Sequence, residues 1–282
     1  MAGLLVGAIL GVVQGVSEWL PVSSKTQIII VTSFLSPNLS FSAKYALGLF
    51  LEAGTFVAAL AYFRKEVVGV LKALVGRGDE ESRLLLKFLV IVTVFTALIG
   101  LAIYKEVSSS LTGPALGVPM IVLGSVLIGD GCLIALARRR PQPTRGLKDL
   151  KFWELVAIGV VQGLAAFPGV SRSGTTVSAM LLLGVKPSEA FKMSFLALIP
   201  ASVGAAGATV LITKASVSSA VSSIGAVAVL VALAVTVLVG LASIRELLKF
   251  AATDRVLVLT FVLGALAILS GAASIIFGSA LG

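Results

Sequence analysis

Glu18, Glu52, Asp130 and Arg172 are charged side chains set inside long apolar stretches. In the middle of a membrane helix each such charge costs roughly 2.5–3.5 kcal/mol on insertion scales. Three carboxylates and one guanidinium kept at that cost point to a shared polar site. Gln14 and Glu18 are four residues apart, so a helix puts them on one face. Pro21 then breaks the helix and Ser23-Ser24 can begin another, with hydroxyls and free N–H groups that favour an anion. A second break, Pro168-Gly169, is followed by Ser171-Arg172-Ser173-Gly174-Thr175-Thr176. One guanidinium, a cluster of hydroxyls and a glycine that lets the backbone come close make a sensible cradle for phosphate. Hydroxyls alone would be better explained as partners for the backbone around a helix break; the arginine is what favours phosphate. Asp130, eight residues before Arg138, reads as a structural partner or an interfacial side chain. The chain has no histidine and one cysteine, Cys132. Ser-His-Asp and Cys-His catalysis, histidine-bound metal and cysteine zinc sites are therefore excluded, and Cys132 reads as small apolar filler in a helix.

The elements that position these residues must lie in a membrane. Of 282 residues, 58% are hydrophobic and 12% charged, against about 45–50% and about 25% in soluble domains. Mean hydropathy is +1.10. The net charge of +9 is explained by the placement of basic loops at a membrane rather than by nucleic-acid binding. The N-terminus lacks the basic region and cleavage pattern of a signal peptide. Six stretches approach the ~20 apolar residues that a membrane helix needs: about 44–63, 84–104, 115–137, 189–212, 220–243 and 256–280. The regions 1–35 and 152–185 are interrupted by the two breaks, and each half is short for a span but suited to a re-entrant hairpin lining a cavity. Gly11-Val12-Val13-Gln14-Gly15 recurs as Gly159-Val160-Val161-Gln162-Gly163, and Val22-Ser23 as Val170-Ser171, all at an offset of 148. Three spans follow each broken segment, so a unit with an odd number of crossings is repeated, and its second copy must be inverted. With the loop 64–87 in the cytoplasm, 17 of the 22 basic residues fall on that side, and Lys44, Lys105 and Lys214 on the other. Both termini are then outside, with the first hairpin entering from outside and the second from the cytoplasm. Trp19 and Trp153 read as interface anchors or packing.

Gln14-Gly-Val-Ser-Glu18-Trp-Leu-Pro-Val-Ser-Ser24 resembles the first signature of the BacA-type undecaprenyl-diphosphatases, and Phe167-Pro-Gly-Val-Ser-Arg172-Ser-Gly-Thr-Thr176 resembles their second. Leu51-Glu52-Ala-Gly, with Tyr62-Phe63-Arg64-Lys65 beyond it, extends the similarity, which covers essentially the whole chain. The resemblance implies an all-α integral membrane protein in one membrane domain. Its six transmembrane helices and two re-entrant hairpins would form two inverted repeats, about 1–140 and 152–282. It implies a phosphatase that converts undecaprenyl diphosphate to the monophosphate and so recycles a lipid carrier. Glu18 matches the second acid of the family's first motif, Ser24 its proposed nucleophile and Arg172 its essential arginine. Gln14, Ser23, Gln27, Glu52, Ser171, Ser173, Gly174, Thr175 and Thr176 complete the expected substrate contacts. The sequence departs from the common pattern at Gln14, often glutamate; at Gln27, where many members have histidine; and at Glu52, where many have glutamine.

Without histidine, the candidate bases are Glu18 and Glu52. Either Glu18 activates Ser24 for attack on phosphorus, or Glu18 or Glu52 activates water directly. Lys25 is open to two readings, a phosphate contact or a snorkelling lysine. The resemblance also implies stimulation by Mg²⁺ or Ca²⁺, although no ligand set is legible. Expected partners are a polyprenyl diphosphate and membrane lipids, with no nucleic acid; a homodimer is compatible with the chain. The alternative function is a lipid-phosphate transporter that binds without hydrolysing.

Overall fold

The computed structural model describes residues 2–36, 38–110, 117–139, 144–251, 253 and 255–278. The protein is an all-α, six-span membrane protein: among the described residues, six helices are long and apolar enough to cross a bilayer. These are α3 (Phe41–Tyr62), α5 (Glu80–Ser110), α6 (Val118–Arg138), α9 (Pro187–Ile212), α11 (Ala226–Ala251) and α12 (Arg255–Gly278). The broken regions form two pairs of shorter helices, α1 (Ala2–Ser17) with α2 (Ser24–Leu35), and α7 (Phe152–Leu164) with α8 (Arg172–Leu182). The first two residues of the expected third span and the last two of the sixth lie outside the described residues.

Two helices were not anticipated. The expected loop 64–87 contains α4 (Arg64–Leu74), and α10 (Lys214–Ile224) overlaps the start of the expected fifth span. In α4, Val67, Val70, Leu71 and Leu74 repeat at helical spacing among basic residues, an amphipathic pattern that its low mean hydropathy concealed. The fifth span begins at residue 226, not 220. Gly225 takes φ +97°, ends α10 and turns the chain before α11.

Packing follows a glycine ladder. Gly7, Gly11 and Gly15 line the face of α1 that lies against α11. A Cβ on Gly11 would stand 2.6 Å from the Ala232 carbonyl oxygen, and one on Gly15 would stand 3.1 Å from that of Thr236. The backbones are close enough for Thr236 Oγ1 to donate to Gly11 O at 3.3 Å. The pair α7 and α5 is built the same way. A Cβ on Gly159 would lie 2.8 Å from Val92 O and one on Gly163 3.1 Å from Thr96 O, and Thr96 Oγ1 donates to Gly159 O at 3.1 Å. Between membrane helices such close approach replaces the hydrophobic effect, because lipid is as apolar as the side chains it would give up. The α3 helix packs on α9, and α6 on α12.

The ends of the second broken segment are tied together on the loop side. Arg145 makes two hydrogen bonds to the Glu154 carboxylate, at 2.8 and 2.7 Å, and donates to Leu183 O at 2.7 Å. Its backbone pairs with the strand-like turn at Val185. The start of α7 and the end of α8 are thus clamped by one guanidinium. Trp19 is fully buried, its ring 5.5 Å from that of Phe195, so it packs rather than anchors; Trp153 is exposed. Cys132 is also exposed, on α6. Lys44 is buried in α3 and reaches Ser33 Oγ at 3.2 Å.

Candidate active site

The helix breaks bring the two chain halves into contact. After α1, residues 18–22 leave helical geometry, and Ser23 takes φ 54°, the one non-glycine residue with positive φ among those described. Left-handed backbone at a serine is strained by about 1 kcal/mol or more, and here it turns the chain into α2. Gln27 Nε2 donates to Val22 O at 2.9 Å and Thr26 Oγ1 to Ser23 Oγ at 2.9 Å, so both side chains fasten this turn. The carbonyls left over by the break are met from other elements: Ser173 Oγ donates to Leu20 O and Thr260 Oγ1 to Pro21 O, each at 3.2 Å. In the second break, Tyr45 of α3 donates its phenol to Ala166 O.

Glu18 is the hub. It is buried, and its Oε2 accepts from Gln14 Nε2 at 2.8 Å and from Ser24 Oγ at 2.5 Å. Its Oε1 accepts from Arg172 Nη2 in an ion pair that crosses from one half of the chain to the other. Three residues singled out by type and spacing, Glu18, Ser24 and Arg172, therefore meet directly. The remaining Arg172 nitrogens, Nε and Nη1, are buried without a partner among the described residues, as is Gln14 Oε1. Leaving buried donors unsatisfied costs about 1–3 kcal/mol or more for a charged group.

A second ion pair stands nearby. Lys25 Nζ is 3.4 Å from Glu52 Oε1, and Ser202 Oγ of α9 donates to Glu52 Oε2 at 3.3 Å. Lys25 is buried, which removes the snorkelling alternative. Lys25, Glu52, Gln162 and Arg172 all line one cavity of about 150 Å³, whose other wall is largely apolar and includes Gly100, Leu101, Gly204 and Ala208. Glu18 and Ser24 do not line it; Glu18 is joined to it through its ion pair with Arg172.

The serines and threonines of the second motif largely serve the backbone. Ser171 Oγ accepts from Gly174 N at 3.2 Å and caps α8. Thr175 and Thr176 donate back to Ser171 O and Arg172 O at 2.9 and 2.6 Å. Asp130, the fourth charge in an apolar stretch, stands apart from the cavity. Its Oδ2 accepts from Ser171 N at 3.1 Å, and a Cβ on Gly174 would stand 2.6 Å from that same oxygen. Asp130 thus holds the start of α8, a structural partner as its sequence position allowed. Glycine at 174 leaves room for the carboxylate beside it.

Sequence reasoning did not find Ser202 or Tyr45, for which no local signal exists. Gln162 was legible only as the repeat counterpart of Gln14. It donates to Thr96 Oγ1 at 3.1 Å and accepts from Thr176 Oγ1 at 3.4 Å.

The profile of the family described as "Bacitracin resistance protein BacA" matches residues 7–269. The chain belongs to this family. Among its relatives, an undecaprenyl-diphosphatase of Saccharolobus solfataricus is 52% identical, with 95% of each chain aligned. One of Sulfurisphaera tokodaii is 44% identical over 92% of this chain and 94% of the relative. One of Pyrobaculum aerophilum is 40% identical over 96% and 98%. The BacA match takes in both helix breaks, five whole spans and the first part of the sixth.

Proposed function

We propose that this membrane protein hydrolyses undecaprenyl diphosphate, or a polyprenyl diphosphate like it, to the monophosphate and phosphate. Relatives covering nearly its whole length carry the name undecaprenyl-diphosphatase. The observation that carries the assignment on this chain's own residues is Arg172, which lines the cavity and has two buried nitrogens, Nε and Nη1, without a partner among the described residues. A guanidinium with donors to spare suits an anionic ligand such as phosphate. The apolar remainder of the cavity suits the first part of a prenyl tail. It adjoins, at Thr93 and Pro200, an apolar groove of about 420 Å³ between α4, α5 and α9.

The geometry suits in-line displacement at the terminal phosphorus. Ser24 already directs its proton to Glu18, the arrangement of a nucleophile with its base. As Ser24 Oγ bonds to phosphorus, its proton passes to Glu18 and the polyprenyl monophosphate leaves. Glu18 passes that proton to the departing monophosphate; water then attacks the phosphoserine and gives a proton to Glu18, which returns it to Ser24 Oγ as the Ser24 O–P bond breaks and phosphate departs. Arg172 must shift its free edge toward the equatorial oxygens, whose charge stabilisation dominates phosphoryl transfer. In the competing route Glu18 or Glu52 activates water, and the unpartnered Gln14 Oε1 would orient it.

Glu18 and Glu52 are the residues that would hold an Mg²⁺ or Ca²⁺ beside a diphosphate, where it would neutralise phosphate charge, and they would have to share their oxygens with their present donors. Both oxygens of Glu18 and both of Glu52 are already engaged by donors, and among the described residues no three Asp, Glu or Cys side chains gather as a ligand set. No step here is routed through a metal.

The two broken segments are read as re-entrant hairpins of two inverted repeats. This is supported by α1 lying on α11 as α7 lies on α5, each contact made by the recurring glycines and one threonine. The topology keeps both termini outside; with Lys44 buried, the basic bias is sharper still. Cysteine labelling of the termini, with Cys132 first replaced, should place both on the outer face; opposite faces would defeat the inverted repeat.

Phosphate release from purified protein given undecaprenyl diphosphate in detergent tests the activity. Wild-type protein should release phosphate. Tight binding with no release under any divalent cation would hand the site to the transporter alternative.

A further inference from the structure

The cavity is lined by two cations, and only Arg172 has been given a ligand. Lys25 is held loosely. Its 3.4 Å contact with Glu52 is longer than the 2.7–2.9 Å of a well-made charge-assisted hydrogen bond. An ammonium has three donors, and among the described residues Lys25 uses one of them, on Glu52. Arg172 and Lys25 approach the cavity from different elements, the start of α8 and the start of α2, and their carboxylate partners lie on α1's trailing turn and on α3. A buried ion pair adds little net stability over an apolar pair of the same size, so stability does not account for Lys25 at a cavity wall.

We propose that Lys25 binds the second phosphate of the substrate and is what distinguishes a diphosphate from a monophosphate in this chain. The proposal rests on the diphosphatase assignment above. In it, one phosphate meets the free Nε–Nη1 edge of Arg172. The other draws Lys25 away from Glu52, which with Ser202 positions the ammonium beforehand. After hydrolysis a single phosphate remains on the lipid and can engage only one of the two cations, so the product is held less well than the substrate and leaves.

The test is binding, which needs no turnover. The full-length protein in detergent micelles is titrated with farnesyl methylenediphosphonate, which cannot be hydrolysed, and with farnesyl monophosphate. Wild type should bind the diphosphonate at least tenfold more tightly. Lys25→Met should reduce that preference to within about threefold, mostly by weakening the diphosphonate, whereas Arg172→Lys should weaken both ligands. Lys25→Met leaves Glu52 buried and unpaired, so the double variant Lys25→Met/Glu52→Gln, which removes both charges, guards against loss of fold. It too should lack the preference. If Lys25→Met keeps the wild-type ratio, or if the double variant regains it, Lys25 merely neutralises Glu52 and the proposal fails alone. If wild-type protein binds neither ligand, the diphosphatase assignment fails with it.

Discussion

Gly11 and Gly159 do the same work on opposite sides of the molecule: each lets a short helix press its backbone against a long one and takes a threonine hydroxyl on its carbonyl. At the same offset along the chain, Glu18 corresponds to Ala166 and Ser24 to Arg172, and here the likeness ends. The first break has an acid, a hydroxyl pointed at it and a strained serine turn. The second has a guanidinium at a helix start braced by Asp130. In the proposed repeat the chemistry is thus divided, with the acid and the serine in one half and the guanidinium in the other, while Lys25 brings a second cation from the first half to the same cavity. The Glu18–Arg172 pair is the joint between them. Neither half contains a site by itself.

The division can be tested from each side. The largest effect is expected at the acid. Glu18→Gln is nearly isosteric, keeps an acceptor for Ser24 and removes the base; turnover should fall roughly 10²–10⁴-fold, the usual range for general-base loss. If it keeps full activity while Glu52→Gln is dead, the base is on α3 instead. Ser24→Ala in the same assay separates the routes, since near-complete loss requires the serine nucleophile and modest loss favours water. On the other side, Arg172→Lys preserves charge but not the planar fork. At least about a tenfold loss in turnover is expected, about 1.4 kcal/mol of transition-state stabilisation; wild-type turnover would show that charge alone suffices.

The scaffold should respond alike in both halves. Gly11→Val and Gly159→Val each force a side chain into a neighbouring backbone carbonyl, at 2.6 and 2.8 Å for Cβ alone, and overpacking of this kind costs typically 1–3 kcal/mol. Thermal unfolding in detergent should show similar downward shifts for the two variants; tolerance at one site alone would mean that the halves are not held equivalently. The smallest effect is expected at Gln27→Ala, which loses one hydrogen bond to Val22 O, about 0.5–1.5 kcal/mol. Activity should fall by less than about threefold. A collapse in activity there would place Gln27 in the chemistry, where the family's histidine would otherwise stand.

The sequence exposed those features whose cost in lipid is high. Glu18, Glu52 and Arg172 could be picked out because an uncompensated charge in an apolar helix is expensive, and the structure does gather them. The same logic named Asp130 but could not say that its partner is the Ser171 amide, since a brace and a reactant are equally costly to bury. The hydroxyls of Ser171, Ser173, Thr175 and Thr176 were expected to face substrate, yet in the structure they bond to backbone groups, because serine and threonine at a helix start bond locally first. The amphipathic α4 escaped a search for uniformly apolar runs, and the turn at Gly225 escaped it because apolar residues lie on both sides.

The pairing of α1 with α11 has a further consequence for how the protein is made. Gly11 and Thr236, which touch in the finished molecule, are 225 positions apart. At the usual 5–20 residues per second, roughly 10–45 s of synthesis separates them. Through that interval the first helix pair emerges without the helix it packs on, its glycine face bare and the Leu20 and Pro21 carbonyls without Ser173 and Thr260 until those residues follow. The nascent chain therefore cannot have a working site at any length short of α11. Activity begins only near the end of translation, when the late helix arrives to seat the earliest one, and a truncation before residue 226 should leave a protein that inserts but never matures.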